Sequence, residues 1–66
     1  MLKDIYGMIM NSNVSLTNRR SGWLWTGNGE DIPQEYMNWR VTKIEPNHIY
    51  NDEDETIDEL IIYIVK

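Results

Sequence analysis

The sequence contains no cysteine and one histidine, His48. Disulfide staples are thereby excluded, and a four-ligand zinc site has no thiolates and too few imidazoles to form. Phenylalanine is also missing, so a core must be built from aliphatic side chains with help from three tryptophans and four tyrosines. Long apolar runs are absent: the longest, Leu60–Val65, is six residues, against roughly 20 for a membrane-spanning helix. Met1–Met10 has a single lysine, carries Asp4 inside its apolar stretch and lacks a small-residue cleavage site, which is not the pattern of a secretory leader. These absences predict a soluble, cytoplasmic protein that makes no membrane contact.

The 66 residues are enough for one small domain spanning 1–66. A chain of this size buries only about 60% of the surface exposed when unfolded, so its stability is marginal. With disulfides and zinc excluded, extra support is expected from self-association or a partner.

Charge is unevenly spread. The formal net charge is −5. Up to Tyr50 the basic residues Lys3, Arg19, Arg20, Arg40 and Lys43 balance the acidic residues Asp4, Glu30, Asp31, Glu35 and Glu45. The whole excess falls after that point, where Asp52, Glu53, Asp54, Glu55, Asp58 and Glu59 face only Lys66. A sequence-independent grip on phosphates requires a cationic surface, so direct nucleic-acid binding is not expected.

Leu2, Ile5, Tyr6 and Ile9 fall at i, i+3, i+4, i+7, which predicts a helix over 2–10 that depends on packing because Gly7 weakens it. Asn11, Ser12 and Asn13 end it. Val14–Thr17 alternates as a half-buried strand, Asn18–Gly22 is a turn, and Trp23–Thr26 is the second strand of an antiparallel hairpin with Trp23 and Trp25 on one face. Gly27-Asn28-Gly29 breaks that strand, and residues 31–38 make a helical turn or two with Pro33 in the first turn. Trp39–Glu45 reads as a third strand in which Val41 and Ile44 fall on opposite faces, implying a bulge or cover on both sides, and Pro46 stops it. Residues 47–58 are expected to be a mobile acidic loop. Leu60–Val65 closes the chain as a strand apolar on both faces, one to be covered by the first helix and the other by a target or by a second copy in a homodimer. The fold class is α+β: an N-terminal helix packed on a mainly antiparallel sheet of about four strands.

No cluster has the spacing of a metal site or a catalytic set. Asp52, Asp54 and Thr56 alternate like the start of a calcium loop, but Ile57 stands where its glycine belongs and Tyr63 where its glutamate belongs. His48 has no nucleophile and orienting group in pattern with it, and the carboxylates sit in a solvated stretch. Neither enzyme activity nor a cofactor is expected. The acidic segment admits two readings: spaced carboxylates that mimic nucleic-acid phosphates, or charges that keep an apolar strand soluble.

Leu2-Lys3-Asp4-Ile5 opening a helix, the Val14–Thr26 hairpin, Ile32-Pro33-Gln34-Glu35-Tyr36, Val41-Thr42-Lys43-Ile44-Glu45 and the closing Glu59–Ile64 strand together resemble the short acidic proteins of phages and mobile elements of Gram-positive bacteria. Some of these inhibit host enzymes or defence systems, CRISPR effectors among them. The resemblance implies an inhibitor or adaptor in a bacterial cytoplasm and transfers no catalytic residue. The expectation is therefore a non-catalytic protein that binds a basic surface of a host protein, such as a defence or nucleic-acid-processing enzyme. Asp52, Glu53, Asp54, Glu55, Asp58 and Glu59 would steer the encounter, and Trp23, Trp25 and Tyr50 would be its contact residues. The alternative from another class is a small module for single-stranded nucleic acid using Arg19, Arg20, Trp23, Trp25 and Arg40, and a structural adaptor is a third.

Overall fold

The computed structural model of the chain describes residues 1–50 and 56–66, with side chains for 1–47 and 58–66. It is an α+β fold: a short N-terminal helical segment and two later helical turns lie on one side of a four-stranded sheet. The strands are β1 (Asn13–Asn18), β2 (Gly22–Asn28), β3 (Arg40–Tyr50) and β4 (Thr56–Val65), in the order β2-β1-β4-β3. Both hairpin pairs, β1 with β2 and β3 with β4, are antiparallel, and the central pair, β1 with β4, is parallel. The sheet is therefore mixed. The parallel pair arises because the eleven-residue helical layer 29–39 and β3 return the chain to the far side of β1 before β4 is laid down. 

The expected N-terminal helix is a 3-10 turn, Leu2–Ile5, running directly into an α-helical turn, Tyr6–Ile9 (α1). Its apolar stripe works as the spacing predicts: Leu2 and Ile9 are buried, and Ile5 packs against the same cluster. The segment is fixed at both ends by backbone hydrogen bonds. Leu2 N–H donates to the Trp39 carbonyl at 2.8 Å and Lys3 N–H to that of Met37 at 2.9 Å, while Gly29 N–H reaches Ser12 at 2.8 Å and Glu30 N–H reaches Met10 at 2.9 Å. The later helical turns are Gly29–Asp31 and Gln34–Tyr36, with Pro33 just before the second.

Val14, Leu16, Ile62 and Ile64 project from the two central strands into this layer and meet Leu2, Ile9 and Ile32. Each such side chain contributes on the order of 1.5–3 kcal/mol when fully buried. Around them pack Leu24, Trp25, Tyr36, Met37, Trp39, Val41 and Leu60, with Tyr36 and Trp39 edge to face at 5.4 Å.

Two bulges correct the sequence reading of the faces. In β2, Leu16 pairs with Trp25 but Thr17 pairs with Trp23, so Leu24 is the extra residue. Trp23 and Trp25 consequently lie on opposite faces, since a bulge shifts alternation by one. In β3, Val41 pairs with Ile64 and Lys43 with Tyr63, leaving Thr42 as the extra residue. That is the bulge which the positions of Val41 and Ile44 required. It puts both on the helical side, where Ile44 remains 45% exposed because it sits on the edge strand beyond the helical layer.

Other boundaries also differ. Gly27 and Asn28 continue β2 instead of breaking it, and β3 runs through Pro46 to Tyr50. Proline is tolerated there because β3 is an edge strand, with alternate N–H positions facing away from its neighbour. At 47–50 and 56–58 the expected acidic loop is strand, with Asn47 opposite Glu59 and His48 opposite Asp58; the rest of that segment, 51–55, lies outside the described residues.

Candidate functional site

All the helical segments lie on one side of the sheet, and the residues of the other side form a grid. Cross-strand partners point to the same face, so the register reads directly as rows. The first row is Trp23, Thr17, Tyr63 and Lys43, crossing β2, β1, β4 and β3. The second is Thr26, Ser15, Ile61 and Glu45, and the third is Asn28, Asn13, Glu59 and Asn47. None of these twelve residues belongs to the core cluster or its apolar surround.

Trp23 is the most conspicuous member. It is 66% exposed, yet its indole is fixed: Nε1–H donates to Thr26 Oγ1 at 2.5 Å, and the Thr26 hydroxyl donates to Ser15 Oγ at 3.3 Å. Ser15 itself is only 7% exposed. An exposed aromatic ring held this way loses little conformational freedom on contact with a partner, which is the condition for an efficient binding residue.

Tyr63, two strands away, is held by Glu45 and Arg19, and Glu45 is held in turn by Lys43. Its hydroxyl donates to Glu45 Oε2 at 3.3 Å, the Arg19 guanidinium lies 5.9 Å from the ring centroid, and Lys43 Nζ pairs with Glu45 Oε1 at 2.5 Å. The hydrogen bond and charge of Lys43, helped by the Tyr63 hydroxyl and Arg19, hold the Glu45 carboxyl below the usual glutamate range against a smaller opposing effect of desolvation. With neighbouring strands about 4.8 Å apart, the Trp23 and Tyr63 backbones are roughly 10 Å apart, so one extended ligand can touch both rings.

Charge is sorted along the strands. Where β1 and β4 end and β2 and β3 begin, Arg19, Arg20, Arg40, Lys43 and Lys66 gather, which is five of the six basic residues in the chain. Arg19, Arg20 and Lys66 border one cleft with Asn18 and Val65, and Arg40 pairs with Val65. Among the described residues, Glu45 and, on the helical side, Glu35 are the acidic residues near that end. At the opposite end Asp58 and Glu59 border a second cleft with Asn11, Ser12, Asn13, Pro46 and Asn47. Counting along the sequence hides this polarity, because the turn between β1 and β2 and the starts of β3 are brought together only by the strand order.

The sequence-predicted site residues are thus divided. Trp23 lies on the uncovered face, and Asp58 and Glu59 lie at its far end. Trp25 faces the helical layer, with its ring over Gly27, where an added Cβ would come within 2.8 Å of it; it is part of the packed side and not of the exposed surface. Asp52, Glu53, Asp54 and Glu55 lie outside the described residues, as does the side chain of Tyr50. Tyr63, Thr17, Lys43 and the Ser15–Thr26 pair were not singled out as site residues. The signal for them was Leu60–Val65, whose second apolar face demanded an explanation, and Trp23-Leu24-Trp25, whose unbroken apolar character hinted at a bulge.

β4 lies between β1 and β3. Both its hydrogen-bonding edges are filled, so a homodimer through Leu60–Val65 cannot form by strand pairing there, and only Ile61, Tyr63 and Val65 are presented, on the uncovered face. Among the described residues, no helix is long and apolar enough to cross a membrane. The chain matches no family model, and it finds no similar protein among curated sequences and no similar fold among solved structures.

Proposed function

We propose that this chain is a non-catalytic protein-binding protein whose docking surface is the uncovered sheet face. The observation that carries the reading is a four-stranded sheet that the described residues cover on one side only, with a pre-positioned, two-thirds exposed Trp23 and the braced Tyr63 in one row of the bare side. Tryptophan, tyrosine and arginine are the residue types that dominate protein interfaces, and Arg19 and Arg40 flank the row. The acidic residues of the far end would orient the approach towards a basic surface. The sequence resemblance to short acidic phage and mobile-element proteins implies, within this class, an inhibitor of a host defence or nucleic-acid-processing enzyme, with an adaptor as its non-inhibitory form.

The test compares tagged wild type with Trp23→Ala/Tyr63→Ala in bacterial lysate at low and high salt. The proposal expects a protein held by wild type and lost by the double variant, with weaker capture at high salt. Equal capture by both forms overturns the docking surface. Capture that is indifferent to salt removes electrostatic steering.

A second reading, single-stranded nucleic acid, is favoured by one observation: aromatic rings and cations share the basic end of the face. Base stacking on Trp23 and Tyr63 beside Arg19, Arg40 and Lys43 has the parts of a strand-binding platform. Fluorescence titration with a mixed-sequence single-stranded oligonucleotide separates the two. Saturable tryptophan quenching with a steep salt dependence would replace the protein-binding reading with this one.

A further inference from the structure

The sheet has two free edges, and they are built differently. β3 carries the devices that discourage a further strand: Arg40, Lys43 and Glu45, the bulge at Thr42, and Pro46. β2, Gly22-Trp23-Leu24-Trp25-Thr26-Gly27-Asn28, has no charged residue and no proline. Among the described residues, no backbone hydrogen bond reaches β2 from anywhere but β1. Its outward N–H and C=O groups are therefore available for another strand.

We propose that the β2 edge is a self-association site, at which β2 of a second copy adds antiparallel about a two-fold axis near Trp25 to make a continuous eight-stranded sheet. The occupant follows from charge. In that arrangement Gly22 of one copy lies opposite Asn28 of the other, so the turn holding Arg19 and Arg20 comes to the same corner as Glu30 and Asp31 of the second copy. Symmetry repeats this pairing at the other corner. All four side chains are exposed, and within one chain none makes an ion pair with a described residue. A parallel addition would instead bring arginine to arginine and carboxylate to carboxylate. The paired stretch is short, about 23 Å for seven residues, and the bulge at Leu24 leaves only Trp25–Asn28 as regular strand on one side of it. Such a contact falls below the area of a standard stable interface, so the corner charges set its strength. The dimer is micromolar or weaker and dissociates as salt is raised.

This inference does not rest on the docking surface proposed above, although it would join two such surfaces edge to edge. Its test is sedimentation velocity across a concentration series, at low and high salt, on wild type, Arg20→Glu, Glu30→Arg and the combined Arg20→Glu/Glu30→Arg chain. Both positions are exposed, and circular dichroism confirms that each variant keeps the fold. The expected result is a monomer of 7.9 kDa in equilibrium with a species of twice that mass. Each single reversal should weaken the dimer at least tenfold, and the combined reversal should restore it to within a few-fold of wild type. Hydrogen exchange in wild type should slow with concentration at β2 amides and not at β3 amides. A monomer up to millimolar concentration at low salt, a dimer indifferent to the single reversals, or a double variant no better than the singles overturns the proposal.

Discussion

Replacing Gly29 with alanine should damage this fold more than any other single-methyl change. Gly29 is buried where β2 hands over to the helical layer, and a Cβ there would lie 1.9 Å from the Ile9 carbonyl oxygen, 2.7 Å from its carbon and 3.0 Å from Met10 Cα. Ordinary contact begins near 3.4 Å. Backbone on both sides must therefore separate by more than an ångström. Overpacking of this sort costs about 1–3 kcal/mol. The same movement stretches the Gly29-to-Ser12 and Glu30-to-Met10 hydrogen bonds, 2.8 and 2.9 Å long, each worth about 0.5–1.5 kcal/mol. The expected loss is about 2–6 kcal/mol, against a total of about 3–10 kcal/mol for a domain of this length. Gly7→Ala is the control. Gly7 is exposed in α1 with nothing within 4 Å of an added Cβ, so alanine there should raise stability by about 0.5–1 kcal/mol. Urea unfolding followed by tryptophan fluorescence measures both. A Gly29→Ala midpoint within about 0.5 kcal/mol of wild type, the range of neutral surface changes, would refute the close approach of the helical layer to the end of β2.

Ile62→Ala, which empties the centre of the core, should cost about 2–5 kcal/mol in the same unfolding assay. Trp23→Ala should change stability by less than about 1 kcal/mol while weakening a captured partner by at least about 2 kcal/mol, roughly thirtyfold, measured by calorimetry. Gly22→Ala should destabilise by about 1–2 kcal/mol, because Gly22 has φ +85° at the start of β2. Glu45 should titrate below its ordinary value of 4.5 because Lys43 stabilises the carboxylate. A depressed folded-state value means that this contribution is present above the unfolded value and is lost as pH falls through the folded one. Carboxyl NMR should place the Glu45 midpoint under 4.5 in wild type and closer to it in Lys43→Met; a wild-type midpoint at or above 4.5 would contradict the pairing.

Local periodicity located the helix, the first hairpin and the closing strand, because Leu2 to Ile9 and Val14 to Thr17 carry their patterns in consecutive residues. The bulge at Leu24 was less legible. Trp23-Leu24-Trp25 is apolar throughout, so alternation gave no sign of which ring turns inward, and the answer depends on pairing with Thr17 and Leu16. Pro46 and the acids around it suggested a loop, yet pairing with β4 carries the strand past them. The parallel pairing of β1 with β4 joins residues more than forty positions apart and has no local signature. For the site, the sequence pointed to Trp23 and to the second apolar face of Leu60–Val65. The basic end became visible only when strand order placed Arg19, Arg40 and Lys66 together.

If a partner docks on the bare sheet face, Trp23 is the residue it must cover. Fluorine NMR of chain labelled with 5-fluorotryptophan, recorded with and without the captured partner, tests it most directly. With three tryptophans there are three resonances to follow. The Trp23 signal should shift strongly and become shielded from a paramagnetic solvent probe, while those of Trp25 and Trp39, both packed on the helical side, change little. A partner that moves the Trp25 or Trp39 signal and leaves Trp23 as exposed as before would contradict it.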